Sequence, residues 1–339
     1  MIFDKKTWNE IGKGFGICDA TFGPFDGTYG FLLSEDINST HPDPLPRKRF
    51  LFANLEKPLE SRFFLATFEN FLYATISATQ VPNKNEFVIV ETNCLVFGCE
   101  IKGHHNIEQP INNSLFNTDL VSSISKVVRI NNSIYAIGNP VRVYRRIQKD
   151  TWEDFSGTIP ISDDFISKNN LNYSLRDMAG FSEKDIYAVG EAGVVWHFNG
   201  KNWQQIVFPT NQDLYTVVCA EDGYVYITSR KGHVWIGRNS TWNILTDKKM
   251  PLRFLDSVWF DDRLWCTNDY GVWVLEDGEL VRADKLKQKP IPEYIQKGLC
   301  GRIDVSFDKQ KLLICGNDGA ALYDGQTWSV LFDRKQLES

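Results

Sequence analysis

Asp185-Ile186-Tyr187-Ala188-Val189-Gly190-Glu191-Ala192-Gly193-Val194-Val195-Trp196-His197-Phe198-Asn199-Gly200-Lys201-Asn202-Trp203 is the stretch from which the fold can be read. Ile186 to Val189 is short, β-branched and aromatic, as a buried strand should be. Gly190 and Gly193 bracket a turn, since glycine tolerates positive φ, and a second strand follows over 194–198. Asn199-Gly200 is a tight hairpin signal, and Trp203 opens an outer strand whose ring can cover a seam between packed units. The template recurs at 224–245 with Gly232 and Trp242, and at 311–328 with Gly316, Gly319, Asp324-Gly325 and Trp328. It recurs at 263–280, where Gly271 and Asp277-Gly278 hold and Leu280 stands in for Trp. A looser copy at 133–152 has Gly138 and Trp152. Trp152, Trp203, Trp242 and Trp328 stand 51, 39 and 86 residues apart, the last interval being two units. A further strand is expected upstream of each unit, at 175–180, 214–220, 254–260 and 302–307. Units of about 40–50 residues with four strands each mark a β-propeller.

The remainder of the chain fits one closed ring. Five units occupy 120–332. Segments 62–68, 71–76, 87–91 and 94–100 supply one more blade, and 17–21, 29–34 and 49–54 a less regular one. The expectation is an all-β, seven-bladed propeller forming a single domain over 1–339, with irregular blades in 1–119 and regular ones in 120–332; six or eight blades also fit. No stretch sustains helical apolar spacing. Phe3-Asp4-Lys5-Lys6-Thr7-Trp8-Asn9-Glu10-Ile11 parallels 198–206, so it is expected to be an outer strand that closes the ring and removes an exposed edge. Polar inserts at 41–49, 103–120, 158–173 and 284–298 are assigned to the rim or faces.

Of the 339 residues 42% are hydrophobic and 24% charged, and 37 basic against 43 acidic side chains give a net charge of −6. That composition supports a large core and excludes a disordered chain. Mild acidity argues against nucleic acid as the partner. No apolar run approaches the ~18 residues of a membrane helix, and the N-terminus lacks the apolar segment of a signal peptide. Seven scattered cysteines, an odd number, then read as reduced thiols, and a cytoplasmic location is expected.

The pattern at 185–203, repeated more weakly at 311–328, resembles the repeats of bacterial propellers related to the photosystem assembly factor Ycf48 family. The resemblance covers mainly 120–332 and implies a propeller fold. The organisation is also similar to that of cytoplasmic propellers that act as immunity partners of secreted antibacterial toxins. That second resemblance implies a protein partner in a type VI secretion setting. Residues 324–328 lack the Asp-box spacing of sialidase-type propellers, and the Gly-His and Trp-Asp marks of WD40 blades are absent.

Few residues point to chemistry. Cys94, Cys99, His104 and His105 are the one cluster of metal-ligand types, but an interval of five puts the two cysteines on opposite faces of a strand, so no metal is expected. Gly12-Lys13-Gly14-Phe15-Gly16 lacks the remainder of a phosphate loop, and no Gly-x-Ser-x-Gly elbow occurs. His197 and His233 fall within strand-like segments. Paired acids at 163–164, 221–222 and 261–262 sit on turn signals and serve turn formation and solvation. The basic runs Arg47-Lys48-Arg49 and Arg142 to Arg146 are read as solvated strand flanks. No catalytic residue and no cofactor are assigned.

The loops joining second to third strands carry Asn139-Pro140, Glu191, Arg230, Lys231, Asn268, Asp269, Tyr270, Asn317 and Asp318. These positions are equivalent in the repeat, yet their side chains differ, and varied charge with an exposed aromatic suits recognition. Glu191, Arg230, Lys231, Asn268, Asp269, Tyr270, Asn317 and Asp318 are therefore the expected partner-binding residues. The resulting expectation is a monomeric, non-catalytic propeller that binds a protein, with a toxin effector domain as the specific partner. The alternative is a propeller hydrolase or lyase acting on a sugar or lactone in the central channel.

Overall fold

The second strand of each repeat lies in the middle of its sheet with a neighbouring sheet packed on either side. Asp185–Gly190, Val225–Ser229, Arg263–Asn268 and Leu312–Gly316 are therefore buried almost without interruption, which is why they read as continuous apolar runs and not as alternating ones. The computed structural model describes residues 1–37, 45–80, 85–101, 103, 105–112, 121–160, 173–246 and 253–339. Within these, seven antiparallel four-stranded sheets form a ring, each built from four consecutive strands. Successive first strands adjoin around a central channel, and the first strands of blades 1 and 7 adjoin likewise, so the ring is closed.

Blade 1 comprises Phe15–Phe22, Thr28–Glu35, Lys48–Asn54 and Phe63–Phe68. Blade 2 comprises Ala74–Gln80, Asn85–Glu91, Val96–Glu100 and His105–Ile107. Blades 3 to 7 span 123–154, 175–206, 214–246, 256–282 and 302–333. The expected grouping of the N-terminal third is thereby corrected. Segment 62–68 is the outer strand of blade 1, and the outer strand of blade 2 lies inside the insert at 103–120. A three-residue strand exposed along its length leaves no apolar alternation to read. The insert at 284–298 is also partly core, because the helix Glu293–Gly298 buries Ile295 and Gln296.

The first glycine of the template has a different task from the one its turn suggests. Gly190 has φ −166°, and positive φ falls instead on Ala192 and Gly193. A Cβ at Gly190 would lie 2.1 Å from the Ser174 carbonyl oxygen, at Gly138 1.7 Å from that of Ser123, and at Gly316 2.1 Å from that of Cys300. In these three blades the glycine lets the incoming inter-blade backbone cross the end of the second strand, where blades 5 and 6 carry Ser229 and Asn268. The outer-strand tryptophans cover seams as expected. Trp203 is buried and its indole N–H donates to the Phe155 carbonyl of blade 3 at 2.9 Å, while Trp328 of blade 7 packs on Trp265 of blade 6.

The N-terminus corrects a further expectation. Lys5–Ile11 is a helix and not a closing strand. The parallel with 198–206 fails at the turn: Gly200 adopts φ +88°, whereas Asp4 caps a helix by accepting the Thr7 N–H at 2.7 Å. The segment still bridges the seam between the first and last blades. Ile2 N–H donates to Leu331 of blade 7 at 2.6 Å, and Phe3 stacks on Phe63 of blade 1 and meets Phe332 of blade 7 edge-on.

Arg146 overturns the reading of the basic runs as solvated flanks. Strand alternation turns its side chain into the seam between blades 2 and 3, where it is 0% exposed and pairs bidentately with Glu86 and Glu108 at 2.8–2.9 Å. Arg142 and Lys48 are buried as well.

Candidate functional site

First strands of adjacent blades diverge too far to share a backbone ladder, and side chains bridge them instead. Asp19 accepts the Ile76 N–H at 3.0 Å, Thr75 the Val127 N–H at 2.9 Å, Asp177 the Val217 N–H at 2.9 Å and Asp304 the Phe22 N–H at 2.9 Å. The register places one such position from each blade on a single tier: Asp19, Thr75, Lys126, Asp177, Thr216, Asp256 and Arg302. Lys126 spans the channel from blade 3, reaching Asp177 of blade 4 at 2.7 Å and Asp256 of blade 6 at 2.9 Å. Ser257 donates to Thr216, which pairs with Thr228 at 2.7 Å.

Burial pushes the Asp19 carboxyl up to about 6, against the opposing pull of Arg302 and the Ile76 N–H. Burial raises Asp177 as well. It works against the Lys126 ammonium, but Asp177 and Asp256 outweigh it and hold that pKa above the usual lysine value. Since the folded value of Asp19 exceeds the unfolded value of ~3.9, the folded protein binds the extra proton between these two pH values. Asp19 therefore contributes stability at low pH that is lost as pH rises from about 4 to about 6. Relative to Asp19→Asn, the native protein should lose on the order of 3 kcal/mol across that window. Urea unfolding of both proteins at pH 4, 5, 6 and 7 reads the difference, and a difference that stays flat or grows with pH would contradict the assignment.

The tier closes one end of a cavity of about 790 Å³ that extends along the channel to the turns between first and second strands. Its wall carries Arg129, which reaches Asp304 at 3.3 Å and the Val305 carbonyl at 2.7 Å and lies 3.9 Å over the Phe307 ring. Thr21 donates to Asp304 at 2.8 Å. At the mouth Lys309 pairs with Glu221 at 2.6 Å. None of these channel residues was singled out from the sequence. A signal was present: an aspartate interrupts four of the expected first strands, in Ile17-Cys18-Asp19-Ala20, Leu175-Arg176-Asp177-Met178, Leu255-Asp256-Ser257-Val258 and Ile303-Asp304-Val305.

The eight expected binding residues lie on the second-to-third-strand loops, on the opposite face. Backbone bonds from Arg230 N–H to Asp213 and from Glu191 N–H to Ser174 tie these loops to the inter-blade segments. Arg230, Lys231, Asp269, Tyr270 and Asn317 are exposed. Glu191 is held by Arg176 at 2.6 Å, and Asp318 by Lys335 at 2.5 Å. Asn268 is 2% exposed and shapes its turn by accepting the Tyr270 N–H, so its side chain is withdrawn from any partner. Cys94 and Cys99 are buried thiols, His105 lies against Phe64, and His104 is outside the described residues. Among the described residues no three metal-ligand side chains converge. The paired acids at 163–164 also fall outside the described residues, while Asp261 and Asp262 form a turn with φ +51° and +56°.

These features define a seven-bladed β-propeller with a charged tier across its channel. Among solved structures, the WD40 repeats of RRP9 match with a TM-score of 0.57 at 10% identity, over 96% of this chain and 92% of that one. YCF48 from Cyanidioschyzon merolae matches with a TM-score of 0.50 at 14% identity, over 75% and 83%. Both likenesses are of fold, and the second agrees with the resemblance read from the repeats. No family model matches the chain. Over 166 residues it is 31% identical to the immune protein Tsi7 of Pseudomonas aeruginosa, an overlap of 48% of this chain and 52% of that protein. The chain thus spans about half the length of this curated relative.

Proposed function

We propose that this protein is a cytoplasmic immunity protein, a monomeric and non-catalytic ring that binds a bacterial toxin effector of the type VI kind and neutralises it. The observation that carries this reading is the 31% identity over 166 residues to an immune protein. The architecture supports it. A closed ring holds its loops and channel walls in place before binding, so little ordering cost attends association. The net charge of −6 favours a basic partner and speeds encounter with it. The exposed Arg230, Lys231, Asp269, Tyr270 and Asn317 would supply contacts on one face. The alternative, sugar or lactone chemistry, would use the channel acids. Asp177 and Asp256 are bound to Lys126 and Asp304 to Thr21 and Arg129, an arrangement that favours a structural and binding role.

The test is co-expression in a sensitive bacterium with the product of the gene adjacent to this chain's, which should be toxic when expressed alone. Growth should be restored, and the two chains should co-purify as a one-to-one complex. A toxin domain that kills equally with and without this chain, and leaves it unbound, would refute the reading.

A further inference from the structure

The channel floor and walls are one cation short. The tier brings three carboxylates, Asp19, Asp177 and Asp256, against Lys126 and Arg302. The wall pair Asp304–Arg129 and the mouth pair Glu221–Lys309 each cancel. One negative charge is left over, and its place is Asp19. The Asp19 carboxylate accepts only the Ala20 and Ile76 N–H groups, and among the described residues no ammonium or guanidinium reaches it as an ion pair. Arg302 lies near enough to act on it but donates to the Leu255 carbonyl. Asp19 lines the 790 Å³ cavity, so a carboxylate without a direct ion-pair partner among the described residues faces open volume and not packed protein.

The approach to that cavity has the same sign. Its rim is made of the turns between first and second strands, where Asp222, Asp262 and Asp308 are exposed in blades 5, 6 and 7. The walls offer Phe181, Trp259 and Phe307 alongside the charges. Phe307 and Phe181 already carry guanidinium groups over their rings, from Arg129 at 3.9 Å and Arg238 at 4.1 Å, so this lining accommodates cations on aromatic faces. A divalent metal is a poor fit, because no three His, Cys, Asp or Glu side chains converge among the described residues.

We infer that the central cavity receives a single cationic side chain, lysine or arginine, presented by the protein partner, with Asp19 as its counter-ion. The inference rests on the protein-binding reading above and names the face and chemistry of contact. The cationic side chain enters at the mouth formed by the first-to-second-strand turns, a contact separate from any that the loops carrying Tyr270 make on the opposite face. A pair formed at the recessed floor is less screened than one on the surface, and the acidic rim draws the basic group in.

The probe is an acetylated pentapeptide with one central lysine, titrated calorimetrically against the intact protein, with the norleucine peptide as its neutral counterpart. The lysine peptide should bind at least tenfold more tightly than the norleucine peptide, and raising salt should weaken it. Asp19→Asn and, separately, Asp262→Asn should each weaken binding, the first by tenfold or more. The change Tyr294→Ala, at an exposed tyrosine away from the cavity, should leave it unaltered. Circular dichroism confirms that each variant is folded, and the rim variant tests the idea even where Asp19→Asn is not. Equal binding of lysine and norleucine peptides, or lysine binding insensitive to both aspartate changes, overturns the inference. Spermidine binding more tightly than the peptide also overturns it, in favour of a free small cation. A toxin domain that still binds and is neutralised by Asp19→Asn with unchanged affinity would sink this inference while leaving the immunity reading intact.

Discussion

Replacing Arg146 with alanine should cost about 3–5 kcal/mol of folding stability. The guanidinium is fully buried between blades 2 and 3 and makes four hydrogen bonds to two carboxylates that are themselves 2–3% exposed. Removing it strands Glu86 and Glu108 side by side in a dry seam, where their like charges repel and neither can reach water. Glu108 is fixed there by more than the arginine. It also accepts the Asp150 N–H at 2.9 Å, and a Cβ at Gly98 would stand 1.9 Å from its Oε1. The melting temperature should fall by roughly 10 °C, taking a couple of degrees per kcal/mol for a chain of this size. Arg146→Lys should be intermediate, because an ammonium cannot make two planar forks at once. The combined change Arg146→Met, Glu86→Gln, Glu108→Gln should recover much of the loss, since no charge is then left buried. Thermal unfolding of the four proteins measures the series. A single alanine variant within 0.5 kcal/mol of the native protein would show that the seam is wet.

Trp8→Ala should destabilise by about 3–5 kcal/mol, the cost of emptying a buried indole site. Trp8 is 1% exposed, packs against Phe3 and Phe332, and donates its indole N–H to Glu338 at 3.1 Å. It sits on the N-terminal helix, where a side chain could easily have been ornamental. Here it clamps both chain ends over the joint between the first and last blades. That joint has no strand from one blade completing the other, so side chains carry the closure together with single backbone bonds from Ile2 N–H to Leu331 and from Ile17 N–H to Asn317. Thr21 and Phe22 N–H on Asp304 secure the channel side, and Phe3, Trp8 and Phe332 secure another part. Amide exchange should quicken in Phe15–Phe22 and Trp328–Asp333 of the variant and stay unchanged in blade 4. Exchange that rises equally in all blades, or nowhere, would mean the helix does not hold the ring shut. Gly12→Ala should act in the same direction, because its Cβ would overlap the Trp8 ring at 2.3 Å.

The contrast between the two ends of the chain shows where sequence reading works and where it stops. The repeat at 185–203 is legible because strand pairing, hairpin turns and burial on both faces are local demands. Each is met by residues a few positions apart: Ile186 to Val189 for the buried strand, Asn199-Gly200 for the hairpin, Trp203 for the seam. Repetition then fixes the architecture, since seven such units leave no free face except by closing on themselves. At the N-terminus the same residue types lie in nearly the same order, but Asp4-Lys5 replaces Asn199-Gly200. Lys5 in place of the left-handed Gly200, with the Asp4 carboxylate capping the turn that follows, goes with a helix where a strand was expected.

The amino-acid order alone determined the blade, its strand sequence and the all-β class, because those depend on neighbours along the chain. What only the assembled ring decided is the charge chemistry. Asp19, Lys126, Asp177, Asp256 and Arg302 come from five different blades and are up to 283 residues apart, and they become one tier only when seven first strands converge on an axis. Arg146 likewise read as a surface flank until the pleat turned it into the seam to meet Glu86 and Glu108. Local pattern reports which face of a strand is apolar. Whether a charge on that strand meets water, an empty channel or an opposite charge depends on which distant strand arrives beside it.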